Sequence, residues 1–127
     1  MYLVDTDWIV DYLKGKEIAV KKLQELFDDG LYVSIISVAE IQEGISGAKN
    51  NEEAAKSFSE FLEGVIVLNI DEIICKKFGE IRNNLRKSGN LIGDFDILIA
   101  STALVRGLRI ITNNDKHFRK IKGLTFM

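Results

Sequence analysis

Short apolar runs alternate along this chain with longer segments in which apolar residues recur every three or four positions. The runs at residues 2–4, 31–36, 65–68 and 109–112 are bounded by polar residues, which is typical of strands buried in a sheet. The segments between them have the spacing of amphipathic helices. We therefore predict an α/β fold, in which helices flank a parallel sheet of four to five strands, the fifth at residues 124–127.

The predicted helices differ in how much of their surface is apolar. Residues 17–29 have a single apolar stripe, formed by Ile18, Leu23, Leu26 and Phe27. Residues 95–105 are apolar on nearly every side, which predicts a helix buried within the domain.

Acidic residues stand where predicted strands end or where the helices after them begin. They are Asp5, Glu40, Asp94, Asp96 and Asp115. In open parallel sheets, ligands bind beyond the carboxyl ends of the strands. We therefore expect these side chains to gather at one edge of the sheet.

Helix capping offers a structural alternative for the first two of these acids. Asp5 can cap the helix that follows it, although Thr6 and Asp7 serve that purpose equally well. Ser37 and Glu40 fit a capping box, in which the glutamate bonds to the backbone N–H of the serine. Either role leaves both acids at the same edge.

Capping also competes with function in the second half of the chain. One of Asp94 and Asp96 is predicted to be an N-cap, and Asp96, inside the first turn of the buried helix, is the better site residue. After the fourth strand, one of Asn113, Asn114 and Asp115 is expected to form a turn, and another can face the site.

A cluster of carboxylates needs protons or a cation within it. Two carboxylates about 4 Å apart repel by about 4 kcal/mol at an effective dielectric constant near 20. Oxygen ligands without clustered histidine or cysteine favour Mg²⁺ or Mn²⁺, ions that serve phosphate chemistry. His117 is the only histidine and is predicted to pack beside Phe118, and Cys75 is predicted to lie in or near the core.

Length and composition restrict the class of protein. The chain of 127 residues is predicted to form one domain, residues 1–127, with 46% hydrophobic and 28% charged residues. No apolar run approaches the roughly 18 residues that span a membrane, and the start resembles no signal peptide. With a single cysteine as well, we expect a cytoplasmic protein. The net charge of −2 gives no overall attraction to nucleic acid, but basic faces at residues 76–87 and 116–122 can supply local attraction.

Four segments together resemble the PIN-domain ribonucleases, and in particular the small VapC toxins of toxin–antitoxin pairs. They are LVDTD at 3–7, SVAEI at 37–41, IGDFDILIAS at 92–101 and ITNNDKHF at 111–118. Each segment alone is weakly specific. Together, in this order and spacing, they cover essentially the whole chain.

The resemblance implies Mg²⁺-dependent hydrolysis of RNA, with Mn²⁺ as a possible substitute. The family's first three acidic positions fall on Asp5, Glu40 and Asp96, of which Asp5 and Asp96 would hold the metal. Asp94 matches a position that is acidic in some similar proteins, and the fourth acidic position falls on Asn114 or Asp115. The resemblance also implies a homodimer and a cognate antitoxin whose C-terminal segment crosses the active site.

Two other functions fit parts of the sequence. A phosphatase of the haloacid dehalogenase type would use Asp5 as nucleophile and Asp7 as general acid, but Trp8 follows where that group needs small residues. A binding module without catalysis would use the carboxylates only as helix caps.

Overall fold

A computed structural model of residues 1–127 contains one four-stranded parallel sheet, with strand order β3-β2-β1-β4. The strands are β1 (Tyr2–Val4), β2 (Leu31–Ser34), β3 (Ile66–Leu68) and β4 (Arg109–Ile111). The helices are α1 (Thr6–Leu13), α2 (Glu17–Leu26), α3 (Ile35–Ser46), α4 (Asn51–Glu63), α5 (Glu72–Lys87), α6 (Asp94–Arg106) and α7 (Asp115–Phe118). The predicted α/β fold with a parallel sheet is confirmed.

Strand β1 lies in the middle of the sheet, and its neighbours determine what surrounds its carboxyl end. It pairs with β2 on one side and with β4 on the other, where Val4 is opposite Ile111. The backbone N–H of Asp5 then donates to the carbonyl oxygen of Ile111 at 2.9 Å. Asp5 is thereby held beside the end of β4, although the two segments are far apart in sequence.

The core has two parts, one on each face of the sheet. Successive residues of a strand point to opposite faces, so Leu3 packs with α5 and α6, while Val4 packs with α1 to α4. Both side chains are completely buried. Burying a side chain of this size stabilises a fold by about 1.5–3 kcal/mol, which makes β1 a firm support for the residue after it.

Helix α6 is buried as predicted. Its inward residues are Ile97, Ile99, Ala100, Ser101, Thr102 and Ala103. The two buried hydroxyls do not lack partners, because Ser101 donates to the carbonyl oxygen of Ile97 at 2.6 Å and Thr102 to that of Leu98 at 2.8 Å.

Two predicted strand boundaries are wrong. Strand β2 ends at Ser34, because the Ser34 hydroxyl accepts from the N–H of Ile36 at 3.0 Å and starts α3 three residues earlier than predicted. The segment at 124–127 forms a single bridge, between Ile110 and Phe126, rather than a fifth strand.

Two predicted core positions are also wrong. Ile18 is 79% exposed, because α2 buries the face that carries Ala19, Leu23 and Leu26. Cys75 is exposed, since it lies beside the buried stripe of α5 rather than on it.

Candidate active site

Asp5 connects the sheet to the first helix and is almost completely buried, with 4% exposure. It is the N-cap residue of α1. The sequence had offered three residues for this cap, Asp5, Thr6 and Asp7. Its Oδ1 accepts from the backbone N–H of Thr6 at 2.8 Å, and its Oδ2 accepts from the Thr112 hydroxyl at 2.7 Å. These two bonds fix the carboxylate at the carboxyl edge of the sheet.

The Asp5 carboxylate lacks a positively charged partner. The pKa of Asp5 is raised from 3.8 to about 6, chiefly because burial removes the carboxylate from water and to a smaller extent because the carboxylates of Asp7 and Asp96 are near; the hydrogen bonds from Thr112 and Thr6 oppose the increase. At neutral pH the group is still mainly ionised. The protein therefore holds a buried negative charge between two others.

Asp96 reaches the same place from the first turn of α6, and its side chain is 25% exposed. The N-cap of this helix is Gly93, so the prediction that Asp94 or Asp96 caps it is wrong. Asp96 Oδ2 lies 3.4 Å from His117 Nδ1, a contact that the predicted packing of His117 beside Phe118 did not include.

His117 Nδ1 has two polar neighbours that make opposite demands on it. Asn114 Nδ2 lies 2.9 Å away and needs an acceptor, whereas Asp96 Oδ2 at 3.4 Å needs a donor. One ring nitrogen does not accept and donate at once. Rotating the Asn114 amide by 180° presents its oxygen instead, so that the single proton of an Nδ1–H group is shared between Asn114 Oδ1 and Asp96 Oδ2; the orientation of this amide is thus part of the site.

Glu40 lies in the second turn of α3 and faces α1. The predicted capping box is wrong, because Ser34 caps α3 and Ser37 is already inside it. Glu40 Oε1 instead accepts from the Thr6 hydroxyl at 2.8 Å, and the hydroxyl oxygens of Thr6 and Ser37 are also 2.8 Å apart. The single hydroxyl proton of Thr6 is donated to the Glu40 carboxylate. The hydroxyl of Ser37 is therefore the donor in the contact between Ser37 and Thr6. Oε2 of Glu40 makes no hydrogen bond within the chain.

Asp94 and Asp115 are exposed and turn toward arginines. Asp94 Oδ1 accepts from Arg82 Nε at 2.8 Å, and Asp115 Oδ2 accepts from Arg119 Nη2 at 3.3 Å. Of the five predicted acids, the structure brings Asp5 and Asp96 together and links Glu40 to them through Thr6.

Sequence reasoning missed three polar partners of these acids: Thr6, Thr112 and His117. The position of Thr112 at the end of a predicted strand was the only available signal, because its partner Asp5 is 107 residues away. For His117, the partner Asp96 is 21 residues away on another helix.

The donors at this edge suit a hard cation. No group of three histidine, cysteine, aspartate or glutamate side chains gathers closely enough to enclose a metal ion. The Asp96 carboxylate is, however, near enough to raise the pKa of Asp5, and Asp5 is buried without a counter-ion. A divalent cation between Asp5 and Asp96, completed by water, fits this donor set.

Comparison with known proteins identifies the fold. Residues 2–124 match the model of the PIN domain family. The chain belongs to the PIN domain family. Ribonuclease VapC1 of Methanocaldococcus jannaschii is 38% identical over 94% of this chain and 80% of its own length. Ribonuclease VapC1 of Haemophilus influenzae strain R2866 is 36% identical over 98% of this chain and 94% of its own.

Solved structures agree with this assignment. The toxin–antitoxin complex VapBC2 from Rickettsia felis, bound to a DNA fragment from its promoter, contains a chain with a TM-score of 0.93 and 29% identity, covering 99% of this chain and 96% of that one. The predicted resemblance to VapC-type PIN domains is thus confirmed, and the phosphatase and binding-module alternatives find no support. None of the helices has the length and apolar character required to cross a membrane.

Proposed function

We propose that this PIN-domain chain is a Mg²⁺-dependent endoribonuclease and the toxin of a toxin–antitoxin pair. The observation that carries the proposal is the buried Asp5 carboxylate, which faces Asp96 without a cationic partner at the carboxyl edge of the sheet. Relatives that share more than a third of its residues over nearly the whole chain are named as ribonucleases.

Each residue has a role that follows from its surroundings. Asp5 and Asp96 would hold Mg²⁺, for which Mn²⁺ can substitute, and His117 with Asn114 would position Asp96. When bound, the ion lowers the pKa of a water molecule and neutralises charge on the phosphodiester. Glu40 is held through Oε1 by Thr6, so its free Oε2 accepts the proton of the attacking water.

The reaction is a hydrolysis. The water oxygen forms a bond to phosphorus, its proton passes to Glu40, and the ester bond to one ribose oxygen breaks. The leaving oxygen takes a proton from solvent. Asp94 and Asp115 lie outside this arrangement, and each would act through the arginine with which it pairs.

The test is cleavage of RNA by the purified chain in Mg²⁺ and in chelator. Because water attacks rather than the ribose 2′-hydroxyl, we expect cleaved ends without a 2′,3′-cyclic phosphate, and cleavage should stop in chelator. Cleavage that persists in chelator, or that leaves cyclic phosphates, would remove the basis for a metal-dependent hydrolase.

The partners are part of the proposal. VapBC2 of Rickettsia felis is a complex of toxin and antitoxin on DNA, and we propose that this chain likewise pairs with a cognate antitoxin. We propose further that the chain forms a homodimer and that the antitoxin inhibits it. Co-expression with the neighbouring genes, followed by purification and light scattering, should give a complex with two copies of this chain. Sequencing of RNA ends from cells that express the chain alone would identify the target.

A further inference from the structure

Two arginine–aspartate pairs join α5 to α6, one at each end of this antiparallel pair of helices. Arg82 of α5 bonds to Asp94 at the start of α6, and Arg106 at the end of α6 bonds to Asp71 just before α5. The pairs lie about 18 Å apart along α6. Only the first is next to the candidate active site, two residues before Asp96.

The two arginines use different nitrogen atoms. Arg106 bonds to Asp71 through Nη2 at 2.6 Å, at the outer end of its guanidinium group. Arg82 bonds to Asp94 through Nε at 2.8 Å, and both of its terminal nitrogens make no hydrogen bond within the chain. Both side chains are accessible to solvent, with 37% exposure for Arg82 and 57% for Asp94.

We propose that Arg82, oriented by Asp94, binds a phosphate of the RNA strand next to the cleaved bond. This inference rests on the proposed ribonuclease function. A guanidinium group held through Nε still presents two terminal nitrogens, the arrangement that binds phosphate oxygens in a bidentate manner. The carboxylates of the site repel RNA, so a fixed cation at its border supplies the attraction that the net charge of −2 does not.

The competing explanation is that Arg82 and Asp94 only fasten the two helices together. Two variants of Asp94 distinguish these explanations, because one changes only the charge at residue 94 and the other also releases Arg82 from its fixed orientation. Asp94→Asn removes the negative charge but retains an oxygen that accepts from Arg82 Nε. Asp94→Ala removes both, so Arg82 is no longer held.

The experiment measures the affinity of a short single-stranded RNA in chelator, where cleavage does not occur, over a series of salt concentrations. We expect Arg82→Gln to weaken binding about tenfold and to reduce the salt slope by about 0.7, the value for one phosphate contact on a single strand. Arg82→Lys retains the positive charge but lacks the two terminal guanidinium nitrogens, so its RNA affinity should lie between those of wild type and Arg82→Gln. Arg106→Gln is the matched control and should leave both quantities unchanged.

Asp94→Ala gives the sharpest result, since general electrostatics predicts tighter RNA binding when a negative charge is removed. We expect weaker binding for Asp94→Ala and equal or tighter binding for Asp94→Asn. Tighter binding by both variants, or equal effects of Arg82→Gln and Arg106→Gln, would overturn the inference. RNA cleavage by the wild type in Mg²⁺, measured alongside, shows whether such a failure extends to the proposed function.

Discussion

The carboxylates of this protein fall into two groups that differ in what compensates their charge. At the surface, Asp94 and Asp115 have exposed side chains and arginine partners. At the edge of the sheet, Asp5 is 4% exposed and has only hydroxyl and backbone N–H partners. A buried charge without a partner costs far more than an exposed pair contributes. The ionised Asp5 carboxylate therefore destabilises the fold, and binding of a cation would compensate its charge.

The largest difference between the two groups is expected in catalysis. Asp5→Asn and Asp96→Asn should each lower the rate of RNA cleavage at least about 100-fold, since changes even to residues that only support metal ligands cost about 10- to 100-fold. Asp115→Asn should stay within a few-fold of wild type. A gel assay in Mg²⁺ gives the rates, and a loss in Asp115→Asn as large as that in Asp5→Asn would remove the distinction.

The second difference between the two groups concerns how the free energy of unfolding depends on pH. Because the folded pKa of Asp5 is raised to about 6, the folded state binds its proton more tightly than the unfolded state. The ionised carboxylate therefore destabilises the fold by a free energy that is absent below about pH 3, grows as pH rises between the two pKa values, and is nearly complete above about pH 7, where it amounts to about 3 kcal/mol.

Asp5→Asn should therefore raise the free energy of unfolding in chelator by about 1–3 kcal/mol at pH 7.5 and by only about 0.5 kcal/mol at pH 4. The amide retains an oxygen for the Thr6 N–H, and its NH₂ group can donate to Thr112. Urea melts of both proteins at the two pH values give the comparison. An Asp5→Asn variant less stable than wild type at pH 7.5 would show that Asp5 serves the fold mainly as a cap.

A smaller effect is expected at His117, whose Nδ1 lies near Asp96. An asparagine at 117 places a polar atom near the position of Nδ1, whereas a glutamine reaches the position of Nε2. We expect His117→Gln to weaken Mg²⁺ binding about tenfold and His117→Asn to retain most of it. Equal Mg²⁺ affinity in all three proteins, measured by calorimetry, would assign His117 no part in positioning Asp96.

The smallest effect is expected at Thr6, whose hydroxyl holds Glu40. Thr6→Val retains the shape and removes the hydrogen bond, so stability should fall by about 1 kcal/mol. Cleavage should slow about tenfold while Mg²⁺ affinity stays unchanged, because we propose that Glu40 acts on the attacking water rather than on the ion. Thr6→Ser retains the hydroxyl and is the matched control; wild-type cleavage by Thr6→Val would disconnect Glu40 from this role.

Sequence reasoning located Asp5 and Asp96 because their positions follow from local pattern. A short apolar run ends at Asp5, and the most apolar helix begins around Asp96. Local signals gave the wrong N-cap for α3, and with it the wrong capping partner for Glu40, since Ser34 and Ser37 are both acceptable N-cap residues and the choice depends on how β2 pairs in the sheet. The contacts of Thr112 and His117 cross large distances in sequence, so no periodicity or capping rule indicates them.

The central claim is that Asp5 and Asp96 together hold a divalent cation, and Mn²⁺ binding followed by electron paramagnetic resonance tests it without any RNA. Purified wild type, Asp5→Asn, Asp96→Asn and Asp115→Asn would be titrated at pH 7.5, where the Asp5 carboxylate is ionised. We predict that wild type and Asp115→Asn bind Mn²⁺ with similar affinity, and that Asp5→Asn and Asp96→Asn bind at least about 100-fold more weakly. Equal Mn²⁺ affinity in all four proteins would contradict the claim.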